Sequence, residues 1–98
     1  MMRAVLEMED QGARCELLGH AGDERICAAI STLCCAALNT LGARAQGVVY
    51  EPGEVRFSVR RPGGAQRACL TMLALGLRAL AENFPDDADV TLIGDWAL

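Results

Sequence analysis

Aromatic side chains are scarce in this chain: Phe, Tyr and Trp together make up only 4% of its residues. Its core must be built from Leu, Val, Ile, Ala, Met and Cys, which fill space by volume and number and not by ring stacking. A basic excess is also missing. The net charge is -4 and the pI near 4.8, which excludes a nucleic-acid footprint, because phosphate binding needs a basic surface that releases counterions. A basic or neutral partner suits such a chain better. No CxxC pair occurs, so the usual zinc-ribbon and thioredoxin signatures are absent. No apolar run approaches the roughly 20 residues of a membrane span. The opening MMRAVLEM continues into Glu9 and Asp10 without the apolar region and small-residue cleavage site of a signal peptide. The expectation is a soluble protein with no membrane partner. Its five cysteines, an odd number in an ordinary composition, are expected to be reduced thiols in a cytoplasm.

What is present is enough for one core. Ninety-eight residues with 52% hydrophobic content predict a single domain over 1–98. RAVLEM alternates, with Ala4, Leu6 and Met8 on one side, and ARCELLG does the same with Ala13, Cys15 and Leu17. The turn-forming EDQG between them predicts a β-hairpin. From Asp23 to Leu41 the period lengthens: Ile26, Ile30, Leu33, Ala37 and Leu41 fall three and four apart, with Asp23 as N-cap and Gly42 as C-terminal stop. QGVVYEPGEVRFSVRR reads as two strands joined across Pro52-Gly53, the glycine taking the positive φ of the turn. A second helix is expected over about 65–83, with Cys69, Met72, Leu73, Gly76, Leu77 and Leu80 toward the core and Leu70 and Leu75 forming a surplus flank that suits a subunit interface. Pro85 ends it, and Asp89 to Ile93 alternate as a last strand. The order ββαββαβ predicts an α+β, two-layer sandwich: one mixed sheet with two helices on one face.

One stretch carries chemistry. In GHAGDERICAAIS the only histidine, His20, lies in the connection Gly19-His20-Ala21-Gly22 that follows the second strand, and Cys27 enters the start of the first helix. Early helical positions favour a thiolate through unpaired N–H groups and the helix dipole. An adjacent imidazole can take the thiol proton and later protonate a leaving amine. Cys34, one heptad on, is expected in the core, and Cys35 at the surface or an interface. N–H groups around Cys27 and Ala28 are candidate oxyanion donors. Ser31 either lines the site or back-bonds to the helix carbonyls, the second being the commoner use. The spacing alone leaves three readings open: a catalytic pair, a metal site with a third ligand such as Cys15, or an unrelated pair in a small core. Zinc wants four ligands, and Cys34 and Cys35 point about 100° apart on a helix, so no metal or cofactor is expected.

The wider string resembles the ribosomal-processing cysteine protease family, Prp. Its members carry Gly-His-Ala, a glycine-containing loop, then an acidic residue, two positions, and Cys-Ala-Ala-Val-Ser. Gly19, His20 and Ala21 match the first element, and Cys27, Ala28, Ala29, Ile30 and Ser31 the second, with one conservative change. The order of elements agrees over the whole chain. The resemblance implies a cytoplasmic, homodimeric bacterial endopeptidase that removes the amino-terminal extension of the large-subunit ribosomal protein L-twenty-seven, with Cys27 as nucleophile and His20 as general base and acid. The family's acidic position falls on Glu24, as a histidine-orienting or helix-capping residue. Two departures stand out: the connection between His20 and Cys27 is shorter than the family's, and Glu replaces Asp. A clipped connection suits a more open site, a different substrate, or a homodimeric binding module that keeps the fold without cutting. The partner is expected to be a ribosomal protein precursor or similar peptide. Elsewhere Arg56, Arg60 and Arg61 form a basic strip, and Asp95 and Trp96 read as a terminal packing anchor.

Overall fold

The computed structural model describes residues 1–98. Its elements are β1 (Met2–Met8), β2 (Gly12–Leu18), α1 (Glu24–Leu41), a 3-10 turn over Gly42–Arg44, β3 (Gln46–Glu51), β4 (Glu54–Arg60), α2 (Gly64–Asn83) and β5 (Ala88–Gly94). Apart from the 3-10 turn, this is the order read from the hydrophobic periods.

The five strands form one sheet in the order β3-β4-β2-β1-β5. All neighbours are antiparallel except β1 and β5, which run parallel because the chain crosses back through α2 before β5. The sheet is therefore mixed, as expected. The alternation of side chains sorts it into two faces. One row crosses the inner face as Phe57, Cys15, Leu6 and Leu92, and the next as Val55, Leu17, Ala4 and Val90. These rows meet Ile26, Ile30, Cys34, Ala37 and Leu41 of α1 and Leu70, Leu73, Ala74 and Leu77 of α2 in one hydrophobic core. The outer face carries Arg14 and Glu7, 3.9 Å apart, and Arg56 and Glu54, 2.8 Å apart. The basic strip of β4 is thus partly neutralised by its own neighbours. Both sides of a β bulge between Gln46 and Val49 belong to β3, the exposed edge.

α1 starts and stops as its sequence dictates. The Asp23 side chain accepts from the Arg25 N–H, and Gly42 takes a positive φ of 54° after the last turn. Its first four residues already include Cys27. One expectation fails here: the stretch Glu24–Arg44 is 21 residues long with a mean hydropathy of 1.7, long and apolar enough to cross a membrane by those measures alone. Alanines and cysteines raise that value, while Ser31, Thr32, Asn39 and Thr40 interrupt the stretch, and its strongest apolar stripe lies on the sheet.

α2 puts Leu73 and Leu77 in the core, with Cys69 and Leu80 packed against it as expected, but two positions change places. Leu70, read as surplus flank, is 2% exposed, whereas Met72, read as core, is 75% exposed. Cys69 and Gly76 turn toward α1: the Cys69 thiol donates to the Ala37 carbonyl at 3.6 Å, and a Cβ on Gly76 would stand 3.0 Å from Leu33 Cδ1. Consecutive residues on a helix lie about 100° apart, so an apolar flank beside an apolar stripe makes the stripe's centre ambiguous. The two-helix contact, invisible to periodicity, decides it.

Candidate functional site

The connection Gly19–Asp23 joins the end of β2 to the start of α1 and carries the histidine. It begins tightly. Gly19 has φ of 92°, its N–H donates to the Gly53 carbonyl at 2.9 Å, and a Cβ there would fall 2.5 Å from the Met1 carbonyl oxygen. Only glycine accommodates that approach. His20 follows, exposed, its ring lying against the β3–β4 turn: a Cβ on Gly53 would meet Nε2 at 2.8 Å. Gly53 itself has φ of 81°, as the Pro52-Gly53 turn requires.

Cys27 reaches the same place from the first turn of α1. It is half-buried, and its thiol donates to the Ala21 carbonyl at 3.3 Å. His20 and Cys27 both line a cleft of about 360 Å³, with Ser31 from the next turn of α1. The floor is apolar, from Met2, Leu17, Ile30 and Val55, and the far wall is the β3–β4 hairpin with Tyr50, Glu51 and Glu54. The Tyr50 hydroxyl donates to the Ser31 carbonyl at 3.1 Å, which ties the hairpin to α1 across the cleft. An imidazole and a thiol on one half-apolar cleft, beside an acidic rim, can perform acid–base and nucleophilic chemistry on a bound chain.

The other residues singled out in the sequence fall differently. Glu24 and Ala28 are exposed on α1 and do not line the cleft. Glu24 sits in the first turn, where a carboxylate complements the helix dipole. Cys27's own N–H donates to the Asp23 carbonyl at 3.1 Å, so it is spent on the helix and is not presented as an oxyanion donor. Ser31 lines the cleft, and the back-bonding expected of it belongs to its neighbour: Thr32 Oγ1 donates to the Ala28 carbonyl at 2.8 Å. Cys15 is buried in the core, and no three His, Cys, Asp or Glu side chains converge as a metal site would require. The other thiols are set apart chemically. Burial pushes the Cys34 thiol up to about 11, with Cys35 beside it adding to the shift. Burial also raises Cys15 and Cys69.

Three residues that hold this site escaped the sequence reading: Tyr50, Gly53 as the seat of the His20 ring, and Asp87. The Asp87 side chain comes from the α2–β5 loop, and its Oδ1 accepts from the N–H groups of Gly22 and Asp23 at 2.8 and 3.2 Å. The Pro52-Gly53 turn was legible, but its approach to His20 needed the sheet. For Asp87, 64 positions from Asp23, no local signal exists.

Solved structures share this α+β fold of one mixed sheet and two helices, and they match this chain over nearly its full length. The Prp ribosomal processing protease of Staphylococcus aureus, solved with a covalently linked product peptide, is similar with a TM-score of 0.79 and 17% identity, over 94% of this chain and 99% of that one. SMU.848 of Streptococcus mutans is similar with a TM-score of 0.74 and 22% identity, over 97% and 96% of the two chains. A hypothetical protein from Staphylococcus aureus matches with a TM-score of 0.69 and 14% identity. The chain thus has a Prp-like fold. No protein-family model and no curated protein sequence matches it.

Proposed function

We propose that the chain is a cysteine endopeptidase of the Prp type, with Cys27 as nucleophile and His20 as general base and acid. The observation that carries this reading is that the only histidine and the half-buried Cys27 line one cleft. His20 accepts the thiol proton, and Cys27 Sγ attacks the scissile carbonyl carbon. The C–N bond breaks as the imidazolium returns the proton to the leaving amine. Water, deprotonated by the same imidazole, then releases the acid from the thioester. Ser31 and Tyr50 border the space the peptide occupies. The exposed Glu51 on the rim, with a net charge of -4 on the chain, suits a basic peptide.

The substrate we propose is the amino-terminal extension of the large-subunit ribosomal protein L-twenty-seven, as in the Prp family, and the setting a bacterial cytoplasm. Five free cysteines support a reducing compartment. Exposed Met72 and Leu75 on α2 support a homodimer.

The test is incubation of the full chain with a peptide spanning that extension, followed by mass spectrometry. A single cut is expected, abolished in Cys27→Ala and slowed about 10²–10⁴-fold in His20→Ala, the usual contribution of a general base. An intact peptide with a Cys27 that alkylates no faster than a free thiol would overturn the reading. One observation favours a second reading, a binding module of the same fold: the Cys27 N–H is already bonded within α1. Saturable peptide affinity without cleavage, unchanged in Cys27→Ala, would support that module.

A further inference from the structure

The connection Gly19–Asp23, which carries His20 and leads into the helix of Cys27, has glycine at positions 19 and 22 and no regular structure, yet its second half is held from far along the chain. Asp87 Oδ1 accepts from Gly22 N–H at 2.8 Å and from Asp23 N–H at 3.2 Å. Asp87 is itself a fixed post. Its N–H donates to the Phe84 carbonyl at 2.9 Å, its carbonyl accepts from Met2 N–H at 3.0 Å, and Ala88 beside it is buried and opens β5 against β1. The carboxylate therefore ties the connection to the α2 end and to the sheet at once. The two tethered N–H groups lie directly after Ala21, the residue whose carbonyl accepts from the Cys27 thiol at 3.3 Å. Gly22 leaves just enough room, since a Cβ there would stand 3.1 Å from Asp87 Oδ1.

We propose that Asp87 is a positioning residue for the nucleophile: its carboxylate latches the Gly22–Asp23 backbone, and through Ala21 sets where the Cys27 thiol points in the cleft. The proposal rests on the reading of Cys27 as the nucleophile. A charged acceptor shared by two N–H groups makes a stronger tether than a neutral one, and its oxygen is what the geometry requires. Asp87 does not line the cleft, so it acts on turnover and not on the peptide itself.

The test compares Asp87→Ala and Asp87→Asn in the full chain by two measurements. The first is amide exchange at Gly22 and Asp23, which reads the latch whether or not the chain cuts peptides. Loss of a charge-assisted bond predicts exchange about tenfold faster in Asp87→Ala, with Asp87→Asn closer to the parent because its carbonyl oxygen still accepts. The second is peptide cleavage, in which kcat falls about tenfold in Asp87→Ala while KM holds, and Asp87→Asn restores most of the rate. Unchanged exchange in Asp87→Ala, a KM effect without a kcat effect, or an asparagine variant as impaired as the alanine one would each overturn the proposal. If the parent chain cuts nothing and its Cys27 is unreactive, the peptidase reading and the nucleophile role fall together. The exchange result then still decides whether the tether exists.

Discussion

The two helices lie on the same face of one sheet, each entered from a strand, yet they begin by different means. At the start of α1 polar groups crowd together: the Asp23 carboxylate accepts from the Arg25 N–H at 2.8 Å, the Asp23 carbonyl accepts from Ile26 and Cys27 at 3.1 Å each, and Asp87 reaches in for two more bonds. At the start of α2 the cap is Gly63, which has no side chain: its N–H donates to Gln66 Oε1 at 3.0 Å, its carbonyl accepts from Arg67 N–H at 2.9 Å, and the Arg67 guanidinium donates to the Pro62 and Glu9 carbonyls at 3.2 and 3.3 Å, all of them away from the cleft. Beyond that turn α2 is seated by packing, through Leu70, Leu73, Ala74 and Leu77. The difference teaches where directionality is needed. Apolar burial is strong but non-directional, enough to seat a helix on a sheet. Holding a thiol and an imidazole on one cleft takes bonds with angles and lengths.

The cysteines follow the same division. Cys69 of α2 donates across to α1 and is raised by burial, which keeps it a neutral packing group, while Cys27 of α1 faces the cleft. Alkylation should separate them, with Cys27 reacting ahead of Cys15, Cys34 and Cys69. Exposed Cys35 is the one competitor, removed by working in a Cys35→Ser background.

The largest effect should come from attacking the packed helix. Leu77 is fully buried in α2, so Leu77→Ala is expected to cost about 2–5 kcal/mol in urea unfolding, from lost burial plus the cavity left behind. Below the transition, Cys27 alkylation should keep its parent rate, because the bonds that place the thiol lie elsewhere. A matching loss of Cys27 reactivity would erase the contrast between the two helices.

Next comes the seat of the histidine. Gly53→Ala places a methyl 2.8 Å from His20 Nε2 at a residue with φ of 81°. The backbone strain costs roughly 1–2 kcal/mol. The ring must also move from its place, so peptide cleavage should fall further than stability predicts. Full activity at reduced stability would show that the ring's position against the turn is immaterial. A smaller change is Tyr50→Phe, which removes the bond to the Ser31 carbonyl and is expected to cost about 0.5–1 kcal/mol at this exposed site, with a higher KM as the cleft wall loosens.

How far these parts could be read from the chain depends on the range of the interaction. The alternation of β1, β2 and β4 named the buried rows because strand period is a local property, and Asp23 and Gly42 marked α1 because caps are local too. The edge of the α2 stripe was not legible: Leu73 and Leu77 face the core as expected, but whether Leu70 or Met72 joins them depends on Gly76 meeting Leu33, a contact between helices. The candidate site divides the same way. His20 and Cys27 stood out as a motif seven positions apart. Tyr50 and Asp87 lie far away in sequence and touch the site through a carbonyl and two N–H groups, backbone atoms that carry no residue signature.

The mildest perturbation tests the polar start of α1 through pH. Hydrogen bonds from the Arg25 side chain, then from its backbone N–H, hold the Asp23 carboxyl down at about 2, from an ordinary 3.8. A carboxyl whose folded value lies below its unfolded value stabilises the fold above pH 3.8, and that contribution is lost as the pH falls from there through about 2. Asp23→Asn keeps an oxygen that can cap α1 but carries no charge to titrate. Its thermal midpoint should therefore lie slightly below the parent's at neutral pH and converge on it as acid is added, giving a shallower slope between pH 4 and 2. Parallel slopes for the two proteins would mean that the charge of the Asp23–Arg25 pair adds nothing to the start of α1.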